Sequence, residues 1–173
     1  IINQLNQRSC KIYSGSSAIE FFQKNNLQAH DIYSPPKFEV KDGKLERSLK
    51  WLWSYYKYYK NCKEVANKII DEEKPNLIIS DEDFASIAIA QERKIQNVII
   101  TDILETKFTS GLGGMIEKKM NKTMREMLHK ANKVIIPEIG DNQDNIIRTG
   151  PIVRKIQKKR EEIRKDLDFK KKT

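Results

Sequence analysis

Asp81-Glu82-Asp83 sets three consecutive carboxylates directly behind the apolar run Leu77-Ile78-Ile79-Ser80, in the stretch "LIISDEDFASIAIA". Carboxylates in an Asp-x-Asp pattern can hold a divalent cation and, through it, a nucleotide diphosphate. The same residues can instead form the acidic front of a helix, where each offsets the positive end of the macrodipole by a few tenths to about 1 kcal/mol. Position favours the helix front, because Ser80 is placed as an N-cap with Asp83 three residues on. A metal would need further ligands, and neither His30 nor His129 is placed to supply one. No metal is therefore expected.

A second cluster lies between Thr101 and Gly114, where Thr101, Asp102, Glu105, Thr106, Thr109 and Ser110 precede Gly111, Gly113 and Gly114. Hydroxyls and glycines leading into a helix N-terminus suit an anion. Yet "GLGG" is neither G-x-G-x-x-G nor a Walker loop, so the segment reads equally as a phosphate cradle or as a surface loop. G-x-S-x-G, H-E-x-x-H and a Walker lysine are all missing from the sequence. Asp102 directly follows a buried strand in this loop, but the residues alone assign no catalytic base.

The elements that must position these residues alternate. Short strands are predicted at "CKIYSG", "AHDIYS", "NLIIS", "NVIIT" and "KVIIP", with another from Ile146 to Thr149 and a turn at Asp42-Gly43. Helices are predicted after Ser16, over Leu49 to Glu73, Asp83 to Arg93 and Met115 to Ala131. Apolar strands separated by helices of this length give an α/β fold with a mainly parallel sheet. In such a sheet, ligands bind outside the carboxyl ends of the strands. That rule selects Ser14-Gly15-Ser16, Ser80 to Phe84, Thr101 to Gly114, and Pro137 to Asn145.

The helix over Leu49 to Glu73 carries the strongest periodicity. Trp51, Tyr55, Tyr58, Cys62, Val65 and Ile69 form one row, and Leu52, Tyr56, Tyr59, Ala66 and Ile70 the next. Most of these are expected in or beside the core. Trp53 and the tyrosines are the ones able to meet lipid or an acceptor.

The 173 residues suit one domain, and no apolar run approaches the roughly 20 residues that span a bilayer. Cys10 and Cys62 lie in unrelated segments, the pattern of plain thiols in a reducing compartment. The net charge of +9 invites an anionic partner. Arg154 to Lys172 holds much of the excess but interleaves Glu161, Glu162, Asp166 and Asp168, which reads as a solvated helix rather than a nucleic-acid stripe. Nucleic acid is not expected as a partner.

Three stretches in order, "KPNLIISDEDFASIAIA", "ANKVIIPE" and "GPIVRKIQKKREEIRKDLDFKKKT", resemble the N-terminal half of nucleotide-sugar glycosyltransferases of the two-Rossmann GT-B architecture. The resemblance is to the group around the peptidoglycan-lipid N-acetylglucosaminyltransferase, the diacylglycerol glycosyltransferases and their archaeal homologues. Gly150-Pro151-Ile152-Val153-Arg154 matches the element that closes the first domain there, and Arg160 to Leu167 the helix that leads to the second. The resemblance implies a Rossmann-like parallel sheet with helices on both faces. Residues 1–153 would be the acceptor domain, without its first strand and Gly-rich turn, and 154–173 a linker to a C-terminal nucleotide-sugar domain.

It further implies transfer of a sugar from a nucleotide sugar such as a UDP-sugar to a lipid or glycan hydroxyl, with no cofactor and no metal. The base would be a His upstream of Ile1, so this chain alone would be inactive. Acceptor contacts would fall on Ser14, Gly15, Asp81, Phe84, Thr101, Asp102, Gly111, Gly113 and Gly114. A cytoplasmic protein, peripheral at an anionic membrane through its basic and aromatic helices, follows from a lipid acceptor. Two alternatives remain: a membrane-recruiting subunit completed by a separate catalytic chain, and a GT-B-like nucleotide-sugar epimerase.

Overall fold

A computed structural model describes residues 10–15, 17–37, 40–41, 44–45, 48–107, 111–152 and 162. The expected turn at Asp42-Gly43, the hydroxyls Thr109 and Ser110, and nearly all of the 154–173 segment lie outside the described residues.

The chain is α/β, with strands that pair in parallel and helices between them. Strand β1 (Tyr13–Gly15), helix α1 (Ser17–Lys24) and strand β2 (His30–Tyr33) form a small β-α-β unit, in which β1 and β2 pair in parallel. A two-stranded antiparallel hairpin, β3 (Val40–Lys41) and β4 (Lys44–Leu45), precedes the long helix α2 (Ser48–Glu73). There follow β5 (Leu77–Asp81), α3 (Phe84–Glu92), β6 (Gln96–Ile100), α4 (Gly111–Lys130), β7 (Lys133–Ile136) and β8 (Ile146–Arg148). Strands β5-β6-β7-β8 form one parallel sheet in sequential order.

Side-chain alternation along the strands builds the core. Ile78 of β5, Ile99 of β6 and Val134 and Ile136 of β7 meet Ile87 of α3 and Met124 and Leu128 of α4. Ile87, Ile99, Val134 and Ile136 are fully buried, the expected result of period-two strands under amphipathic helices. A second cluster joins Ala66 and Ile70 of α2 to Ile89 of α3, so α3 is wedged between its two longer neighbours. Leu77 and Ile79, on the opposite pleat of β5, stay exposed.

Two ties orient the β1–β2 unit relative to this sheet. At the start of β1, Lys11 and Tyr13 both bond to Glu73, just before β5 begins. At the end of β2, the Tyr33 hydroxyl donates to Asp83 Oδ2 at 2.9 Å, just after β5 ends. Both units therefore present their carboxyl ends on the same side.

Two boundaries differ from those predicted. Asp83, not Ser80, caps α3: its Oδ1 accepts from the backbone N–H groups of Ala85 and Ser86 at 3.0 and 3.2 Å. Ser80 belongs to β5, is buried, and donates its hydroxyl to the Asp83 carbonyl at 2.9 Å. Helix α4 begins at Gly111 rather than Met115, so the glycines open a helix instead of closing a loop.

Candidate functional site

At the carboxyl end of β5 a cavity of about 150 Å³ opens beneath the tie between Tyr33 and Asp83. One wall is aromatic: Tyr55, Tyr58 and Tyr59 from α2, Tyr33 from β2, and Phe84 from α3. The other side is acidic, made by Asp81, Glu82 and Asp83, of which the first two are exposed, and Cys62 and Ala85 complete the lining.

The aromatic wall follows from helical spacing. Tyr55, Tyr58 and Cys62 lie three and four residues apart on α2, hence on one side of it. Trp51 stacks on Tyr55 with centroids 5.1 Å apart, Tyr55 meets Tyr58 at 6.1 Å and 49°, and Tyr33 meets Tyr58 edge-on at 6.5 Å and 76°. Neighbouring rings among Tyr33, Tyr55 and Tyr58 are thus not parallel. Burial raises all of their hydroxyl pKa values, and Tyr33 is raised further by the charge of Asp83 and by its hydrogen bond to it. Tyr59 is pushed up to about 12, chiefly by burial. The phenols are donors at neutral pH, not bases.

The acidic side is built around a turn. Glu82 sits at φ 59°, a left-handed conformation that costs a non-glycine residue roughly 1 kcal/mol or more. Its N–H donates to the Ile100 carbonyl at 3.1 Å, which pins this turn to the end of β6. Thr101 is buried, and its Oγ1 lies 3.4 Å from Glu82 Oε1 while accepting from the Ile103 N–H at 3.0 Å. Loss of solvent raises the Glu82 pKa first, followed by a hydrogen bond to Asp102 and by the charges of Asp102 and Asp81. Cys62 is also raised, mainly by burial.

No Lys, Arg or His of the described residues forms an ion pair with Asp81, Glu82, Asp83 or Asp102. In a chain of net charge +9 this is a local concentration of negative charge with no ion pair to a cation of the described residues. No group of three or more His, Cys, Asp or Glu side chains with the geometry to hold a metal ion occurs among the described residues.

Of the residues singled out by sequence, Asp81 and Phe84 line this cavity. Thr101 and Asp102 reach it through Glu82. Ser14 and Gly15 lie in β1, one step removed. A Cβ on Gly15 would sit 2.0 Å from the Tyr33 carbonyl oxygen, so this glycine allows β2 to approach and carry Tyr33 to the cavity rim. Gly111, Gly113 and Gly114 stand in the first turn of α4, and the cavity lining includes neither Gly113 nor Gly114. The loop before α4 is tied down: buried Asn121 accepts from the Thr106 N–H and Oγ1, both at 3.0 Å, and donates to the Thr106 carbonyl at 2.8 Å.

By sequence Glu82 has no role apart from its neighbours, and the α2 tyrosines are named with Trp53 as able to meet lipid or an acceptor, without Tyr33 being singled out. Glu82 reads as one of three helix-front acids until its left-handed turn is seen. The tyrosine row is legible as a helix face, but its meeting with Tyr33 is a tertiary event.

Fold and cavity together define an α/β domain whose open parallel sheet carries a cleft at its carboxyl edge. No protein-family model and no curated protein matches the sequence. Among solved structures, the crystal structure of Acinetobacter baumannii MurG is similar, with a TM-score of 0.49 and 11% identity, covering 90% of this chain and 41% of that one. The chain thus spans less than half the length of that structure.

Proposed function

We propose that this chain is the acceptor-binding half of a glycosyltransferase that moves a sugar from a UDP- or similar nucleotide sugar to a lipid or glycan hydroxyl. The observation that supports it best is the cavity at the carboxyl end of β5. Its place is where open parallel sheets bind ligands, its carboxylates can accept hydrogen bonds from acceptor hydroxyls, and its rings can pack on a sugar face. Asp81 and Phe84 would touch the acceptor, and Glu82 with Asp102 would orient it. Helix α4 would bring Gly111, Gly113 and Gly114 to the same cleft from the far side. The nucleotide-sugar site and the base belong to a second α/β domain and to an upstream turn, so the 173 residues supply orientation alone.

In a transfer assay with labelled nucleotide sugar, a longer protein carrying the second domain is expected to label a lipid or glycan acceptor, and Asp81→Ala with Phe84→Ala to raise the acceptor KM. Turnover by the 173-residue chain alone would refute the assignment.

The outer face of α2 favours a second reading, that of a membrane-recruiting subunit. Trp53 and Tyr56 are 60% and 47% exposed and stack at 5.8 Å, with the Lys57 and Lys60 ammonium groups over their rings. Among the described residues no helix is long and apolar enough to cross a membrane. On this reading the strip would rest peripherally on the cytoplasmic face of an anionic membrane, with the catalytic domain on the same or another chain.

A further inference from the structure

The cavity at the end of β5 combines two properties that a binder of neutral hydroxyls does not require together. Its lining brings together the rings of Tyr33, Tyr55 and Tyr58, set at 76° and 49° to one another, and carboxylates with which no described cation forms an ion pair. Ring faces carry the negative side of the aromatic quadrupole, and several of them around one point form the cage that recognises substituted ammonium groups. Carboxylates on the rim of such a cage, where Asp81 and Glu82 are exposed, add Coulomb attraction that solvent partly screens.

Size limits what enters. About 150 Å³ is well below the roughly 300–1,000 Å³ of a pocket that encloses a whole drug-sized ligand. A headgroup fits, with the rest of the molecule outside. Asp83 is already committed to the α3 cap and to Tyr33, which leaves Asp81, and Glu82 beside its bonds to Thr101 and Asp102, as the carboxylates that face a guest.

We infer that this cavity is an aromatic cage for the positively charged ammonium headgroup of a small organic ligand, with Tyr33, Tyr55 and Tyr58 as ring walls and Asp81 and Glu82 as counter-charges. It deepens the acceptor reading by giving that site's ligand a cationic group, and it rests on that reading only for the ligand's role, not for its charge.

Choline and 3,3-dimethyl-1-butanol share one shape and differ in charge, so the pair isolates the cation. In an NMR titration of the 173-residue chain, choline is expected to shift the backbone amides of Glu82 to Ala85 saturably, and the neutral alcohol to bind at least tenfold more weakly. Glu82→Gln should weaken choline severalfold with an unchanged circular dichroism spectrum. Tyr58→Leu, which removes a ring wall, should do the same. Equal affinity for the two ligands, or no saturable choline shift, overturns the assignment. Glucose shifting these amides where choline does not would also overturn it, while leaving the acceptor reading intact. Choline binding alongside a longer protein that transfers no sugar would uphold the cage and end the glycosyltransferase reading.

Discussion

Glu82 has lost part of its solvent, shares a hydrogen bond with Asp102, faces the charges of Asp102 and Asp81 and has no cationic partner among the described residues, and each of these makes its ionised form costly. Its pKa is therefore raised in the folded chain. A carboxyl that holds its proton more tightly when folded contributes stability below its ordinary pKa of about 4.3, and that contribution is lost as the pH rises through the raised value. Glu82→Gln keeps the shape, an acceptor for Thr101 and a donor for Asp102, but carries no charge. The variant should melt at a higher temperature than the wild type at pH 7, and the difference should close as the pH falls towards 4. Thermal melts across that range, followed by circular dichroism, test this. A difference that stays constant with pH would mean that Glu82 is not the strained acid of the site.

Helix α3 shows how far sequence patterning reaches and where it stops. Its strand-helix-strand setting, its buried Ile87 and the acidic N-terminus were all legible, because apolar period and capping chemistry are local. The choice of cap was not, since Ser80 and Asp83 are both good cap residues. What decides is that β5 runs on to Asp81, which leaves Ser80 in the sheet and makes Asp83 the first residue able to reach the free N–H groups. Helix α4 fails in the opposite direction. Glycine costs about 1 kcal/mol against alanine in a helix interior, so "GLGG" argued for a loop. Further along α4, the buried Asn121 that holds Thr106 shows tertiary packing outweighing that propensity. The tyrosine cavity was hidden for the same reason, as Tyr33 is separated from Tyr58 by the hairpin and nearly three turns of α2. Asp83 carries both the α3 cap and the tie to β2, so Asp83→Ala should cost about 1–2 kcal/mol through the lost cap alone and more through the lost tie. Tyr33→Phe removes only the tie, a hydrogen bond to a carboxylate, and should cost about 1.5–3 kcal/mol. Urea denaturation of the two variants should give that order. Equal losses would mean that the cap contributes little.

Across the molecule, charge is segregated. The carboxyl edge of β5 is acidic, whereas α2 turns an aromatic and basic strip outward on the side away from the cavity tyrosines. Lys57 lies 5.6 Å from the Trp53 ring centre and Lys60 4.8 Å from that of Tyr56, so each ammonium rides on an exposed ring and pairs with no acid among the described residues. At an anionic bilayer the rings would settle at headgroup depth and the ammonium groups would swing to the phosphates, each worth about 1 kcal/mol near the surface. Co-sedimentation should therefore show binding to phosphatidylserine-containing vesicles that weakens as salt is raised, with little binding to purely zwitterionic ones. Replacing Lys57 and Lys60 together with Gln should remove about 2 kcal/mol, roughly a 30-fold loss of affinity. Trp53→Ala should weaken binding while preserving its dependence on salt, because it deletes apolar insertion and leaves the charges in place. If the lysine variants bind like the wild type, the net charge of +9 acts elsewhere on the chain and α2 is not the membrane face.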